Sequence, residues 1–120
     1  MYTFYKNDVN IYIFKFSGYI KDDEVVLFSN DLNNLILKEV PFYIILDILN
    51  IKNFNYNFFN NFNDLFKDKD KIKKYFKGTA IIIEKYIGIL NNILRIKRPM
   101  MDTKIFNNYD DAMEYLNNII

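Results

Sequence analysis

The chain is predicted to fold as one α/β domain built on a mostly parallel five-stranded sheet with about four helices. Two observations carry this. Strand-like and helix-like segments alternate after an initial hairpin, which gives βαβα-type order and right-handed crossovers. The mid-chain run Phe42-Tyr43-Ile44-Ile45-Leu46-Asp47 is a stretch of β-formers with apolar side chains on both faces. Such a strand must be covered on both sides, as in the middle of a parallel sheet. The length, 120 residues, fits a single domain, residues 1–120.

The elements follow in order. Tyr2 to Lys6 and Val9 to Ser17 read as strands joined by Asn7-Asp8, a pair that tolerates left-handed geometry. In the second strand Tyr12, Phe14 and Phe16 face one way and Ile11 and Ile13 the other, and Gly18 ends it. Asp22-Asp23-Glu24 place negative charge where a helix begins. Val25, Phe28, Leu32, Leu35 and Ile36 then form an apolar stripe, and Pro41 closes the element. The central strand ends on Asp47, and Ile48 to Asn55 is read as a connector. Asn57 caps a second helix with Phe58, Phe59, Phe62, Leu65 and Phe66 on one side. Lys67 to Lys77 is a charged stretch anchored by Ile72, Tyr75 and Phe76, and Gly78 turns the chain into the strand Thr79 to Ile83. Tyr86 to Ile96 is amphipathic and stops before Pro99, Thr103 to Phe106 is a short strand, and Asn108 caps a last helix with Tyr109, Ala112, Met113, Leu116 and Ile119 inward.

Composition narrows the function classes. Hydrophobic residues make up 51%, too many for a disordered tail. No apolar run reaches the ~20 residues that span a bilayer, and Met1 to Asp8 lack the features of a signal peptide, so the expected location is cytoplasmic. A net charge of +1 gives no whole-domain attraction for nucleic acid. Asn, Ile, Lys, Tyr and Phe crowd the chain while alanine and arginine are scarce, a bias expected of an AT-rich genome, low-GC bacterial or viral.

Phe16-Ser17-Gly18-Tyr19-Ile20, the Phe42–Asp47 strand, Gly78-Thr79-Ala80-Ile81-Ile82-Ile83, and Lys104-Ile105-Phe106 followed by Asp110-Asp111-Ala112 together resemble the STAS domain family (sulphate transporter and anti-sigma factor antagonist), in its small stand-alone form. The resemblance implies a sheet with strands in sequential order and helices mostly on one face. It also implies a protein-binding role, switched in anti-sigma antagonists by phosphorylation of a Ser at a helix start. Asn55, Tyr56, Asn57 and Phe58 fall at that motif here, and no Ser or Thr lies between Asp47 and Gly78. The Ser switch is therefore not carried over.

Catalysis is not expected. Histidine and cysteine are absent, which removes the usual general base, the commonest metal ligand and a thiol nucleophile. Asp47 and Glu84, each at a strand end, form the one carboxylate pair worth naming, and the preferred reading is that each simply ends its strand or accepts loop N–H bonds. Asp22, Asp23 and Glu24 suit a helix dipole better than a cation, and Gly18, Gly78 and Gly88 are isolated, so no cofactor is expected. The basic clusters Lys67–Lys77 and Arg95, Lys97, Arg98 fit helix ends. The expected role is a non-catalytic protein-binding domain, with another copy of the chain among its partners. Its contact surface comprises Asp47, Asn53, Phe54, Asn55, Tyr56, Asn57, Phe58 and Phe62. If helices cover only one face of the sheet, an apolar patch remains on the other. The alternative is then a carrier of a lipid or hydrophobic metabolite, since Sec14-type domains share this fold.

Overall fold

The computed structural model describes residues 1–8, 10–52, 69–83 and 102–120. Five strands form one sheet in sequence order: β1 (Tyr2–Asp8), β2 (Ile11–Gly18), β3 (Phe42–Ile51), β4 (Phe76–Ile82) and β5 (Asp102–Phe106). Helices α1 (Asp22–Leu37), α2 (Lys69–Tyr75) and α3 (Tyr109–Ile119) complete the described elements.

The sheet is mixed rather than mostly parallel. β1 runs antiparallel to β2, while β2–β3, β3–β4 and β4–β5 are parallel. A short connection forces the first pair to reverse, and a parallel neighbour needs a crossover of a dozen residues or more. The reversal itself lies later than Asn7-Asp8: β1 runs through Asp8, and Asn10 takes the left-handed position at φ 63°. There are three helices, not about four, among the described residues. The expected helices at Asn57–Phe66 and Tyr86–Ile96 lie outside them. In contrast, the charged stretch yields α2, which the interrupted Lys-Asp alternation had concealed.

β3 passes beyond Asp47 to Ile51, so the supposed connector begins as strand. Gly78 is an interior residue of β4, which starts at Phe76. A Cβ on Gly78 would come within 2.9 Å of Ile119 Cδ1 and 3.1 Å of Tyr43 Cδ1. Close approach of α3 and β3 therefore explains the glycine, not a turn.

The two-sided pattern of the strands matches two cores. On one face Phe14, Phe16, Phe42, Ile44, Leu46 and Ile81 pack against Val25, Phe28 and Leu32 of α1 and Ile72 of α2. Phe28 meets Phe14 edge-on at a centroid distance of 5.0 Å, a geometry worth about 0.5–1.5 kcal/mol beyond area burial. On the other face Ile11, Ile13, Ile45, Ala80 and Ile82 are buried with Ala112 and Leu116 of α3. The expected bare patch does not exist at the centre of this second face, because α3 lies on it.

Candidate functional site

The carboxyl end of the parallel strands is built around Asp47. Pairing of β3 with β4 stops at Asp47 opposite Ile82, whereas β3 continues beside β2 through Asn50 and Ile51. β3 carries an extra residue on the way, since the register moves from Lys15–Asp47 to Ser17–Asn50. The Asp47 carboxylate stabilises that irregularity by accepting the Leu49 N–H at 3.1 Å. Short acids bond backbone N–H groups two residues on in this way. β4 is tied off separately, with the Ile83 N–H donating to the Phe106 carbonyl at 2.9 Å. Strand β3 thus parts from β4 at the half-buried Asp47.

Three side chains join Asp47 there. Lys15 is its register partner on β2 and is also half-buried. Tyr109 opens α3, directly after Asn108, whose Oδ1 accepts the Asp111 N–H at 2.9 Å. The phenol of Tyr109 is raised above the ordinary tyrosine range, first by burial, then by the neighbouring Tyr5 phenol, then by the Asp47 carboxylate. Tyr5 reaches the cluster from β1 and is 46% exposed. One carboxylate, one ammonium and two phenols can donate and accept hydrogen bonds at a half-open surface. No group of three or more potential metal ligands occurs among the described residues.

Of the partner residues expected from sequence, Asp47 is placed at this end of the sheet. Asn53, Phe54, Asn55, Tyr56, Asn57, Phe58 and Phe62 lie outside the described residues, as do Glu84 and the basic group Arg95, Lys97 and Arg98. Tyr5 and Tyr109 were missed. Tyr109 was counted only as core, although a residue just after a helix cap sits by construction at the mouth of the sheet. The acids at the start of α1 are occupied locally. Glu24 Oε1 accepts the Lys21 N–H at 3.1 Å, Asp23 Oδ1 accepts the Glu24 N–H at 3.0 Å, and Glu24 pairs with the Met1 ammonium at 3.2 Å. Lys73 and Lys74 close α2, and Lys77 Nζ donates to the Lys73 carbonyl at 3.4 Å.

No protein-family model and no curated protein matches the chain. Solved structures do. A DUF3478-family protein with a SpoIIAA-like fold from Shewanella loihica superposes with a TM-score of 0.70 at 17% identity, covering 97% of this chain and 92% of that one. The Bacillus cell-fate determinant SpoIIAA in its phosphorylated form gives 0.70 at 6% identity, over 97% and 99% of the two chains. An anti-sigma factor antagonist from Mycobacterium paratuberculosis gives 0.63 at 10% identity, over 98% and 93%. At these identities the likeness is one of fold: the chain has a SpoIIAA-like fold, as the resemblance drawn from its sequence implied.

Proposed function

We propose that this is a non-catalytic protein-interaction domain that binds its partner through the carboxyl end of the sheet. The surface comprises Asp47 and the segment after it, including Asn53, Phe54, Asn55, Tyr56, Asn57, Phe58 and Phe62. Tyr5 and Tyr109 extend it. The observation that carries the reading is the fold shared with SpoIIAA and with an anti-sigma factor antagonist, together with the opening of the sheet at Asp47. The absence of histidine and cysteine supports a role without chemistry. Because no Ser or Thr lies between Asp47 and Gly78, binding here is not governed by a phosphoserine in that segment. A carrier of apolar ligands gains no support from the second face of the sheet, where Ile45, Ala80 and Ile82 are already buried with Ala112 and Leu116 of α3.

The test is affinity capture with the intact domain and with a Phe58→Asp, Phe62→Asp variant, followed by identification of retained proteins. The expected outcome is a protein held by the first and lost by the second at unchanged thermal stability. Equal retention by both moves the partner surface elsewhere. A small-molecule adduct in native mass spectrometry, with no protein retained, favours the carrier.

A further inference from the structure

We propose that the outer edge of β1 is a self-association site, at which β1 of a second copy pairs antiparallel across a two-fold axis. Tyr5 of the partner surface lies on the opposite face of β1 from Tyr2, Phe4 and Lys6, and the proposal does not depend on that surface.

The hydrogen-bond phase of β1 determines which groups it offers. Met1 and Ser17 exchange both of their backbone bonds: the Met1 ammonium donates to the Ser17 carbonyl, and the Ser17 N–H to the Met1 carbonyl at 2.9 Å. In an antiparallel ladder, bonded and non-bonded pairs alternate. Thr3–Lys15 and Tyr5–Ile13 are therefore bonded inward, and Tyr2, Phe4 and Lys6 turn their N–H and C=O groups outward. Among the described residues no strand pairs with that side of β1. A row of free donors and acceptors on a strand of seven residues is a template for a further strand.

The sequence favours a second copy as the occupant. Two-fold pairing centred on Phe4 sets Phe4 opposite itself and Tyr2 opposite Lys6, so every outward group finds a partner; shifting the centre by one residue either way leaves groups at one end unpaired. This register also matches charge. Tyr2 donates its hydroxyl to Asp31 Oδ2 at 2.7 Å, which holds a carboxylate of α1 beside the Tyr2 position. Lys6 of the second copy would arrive there, on the same face of the sheet, and the dyad repeats the contact. Apolar area adds to it: Phe4 is 36% exposed while stacked on Phe14 at 4.8 Å. Leu27, one turn from both Glu24 and Asp31 on the same flank of α1, is 52% exposed.

Light scattering over a range of concentrations, with the unsubstituted chain and with Lys6→Glu and Asp31→Lys variants, tests this. The unsubstituted chain is expected to dimerise, and each variant alone to dimerise at least about tenfold more weakly, a change of ~1.4 kcal/mol in total over the two dyad-related contacts. An equimolar mixture of the two variants is expected to recover the dimer, because each contact then pairs opposite charges again. Amide exchange of the unsubstituted chain is a second measurement free of any effect of substitution on folding. Tyr2, Phe4 and Lys6 should become protected as concentration rises, whereas Thr3 and Tyr5 are protected throughout. A monomer at all concentrations, a mixture that stays monomeric, or a dimer whose three outward amides exchange freely each overturns the proposal; the first leaves the edge to a strand from a different protein.

Discussion

Glu39 closes α1 in the left-handed region at φ 56°, with its N–H donating to the Ile36 carbonyl at 3.2 Å. This is the position at which helices favour glycine. A side chain there carries roughly 1–2 kcal/mol of steric penalty, and glycine's extra freedom in the unfolded chain offsets part of it. Glu39→Gly is therefore expected to stabilise the domain by about 0.5–1 kcal/mol in urea unfolding. Tyr2 behaves differently. Burial, and then its hydrogen bond to Asp31, push its phenol well above the ordinary tyrosine range. A native pKa above the unfolded one means the stabilisation is complete below about pH 10 and is lost as pH rises further. Tyr2→Phe should cost about 1–2 kcal/mol at neutral pH and should flatten the decline in stability on the alkaline side, read by denaturation at stepped pH.

At the scale of elements, β3 decides the architecture. Leu46 is buried in the first core, so Leu46→Ala should cost roughly 2–5 kcal/mol; a loss below about half a kilocalorie would mean that β3 is not central. Gly78→Ala is a sharper probe of how α3 sits. Its Cβ would meet Ile119 Cδ1, the far end of a side chain, and the edge of the Tyr43 ring; both can shift by a small amount, so a loss of no more than about 1 kcal/mol is expected, at the low end of overpacking. Ile119→Ala in the same chain should recover part of that loss in a double-mutant cycle. Both elements also mark the border of what sequence could tell. Two-sided apolar strands at Phe42 and Ile81 were legible because burial on both faces leaves a run instead of an alternation. The bounds of β3 were not, since Asp47 looked terminal while its carboxylate sustains a register irregularity within the strand. Gly78 looked like a turn because a glycine required by a neighbouring helix carries no local signature. Tyr109 and Tyr5 were hidden from site reasoning for a similar reason: they come together only through the stacking of β1, β3 and α3.

For the whole molecule, the order of the strands was legible and the coverage of the sheet was not. Sequential strands were what the resemblance to the STAS family implied, and the observed order is β1-β2-β3-β4-β5. That α3 crosses the second face could not be read from its stripe, because an amphipathic helix shows that it packs without showing on which side. No helix among the described residues is long and apolar enough to cross a membrane. A chain cut before Tyr109 should leave Ile11, Ile13, Ile45, Ala80 and Ile82 bare. It is expected to bind a hydrophobic fluorescent dye strongly, whereas the intact domain should bind little; equal binding would remove α3 as the cover of that face.

Since the strands lie side by side in the order in which they are synthesised, each newly emerging segment can add to a rim already formed, without waiting for anything downstream. The hairpin is available first, and later strands extend it in one direction only. Among the described residues only α3 covers the second face, so that flank receives its cover last, after every strand has been made.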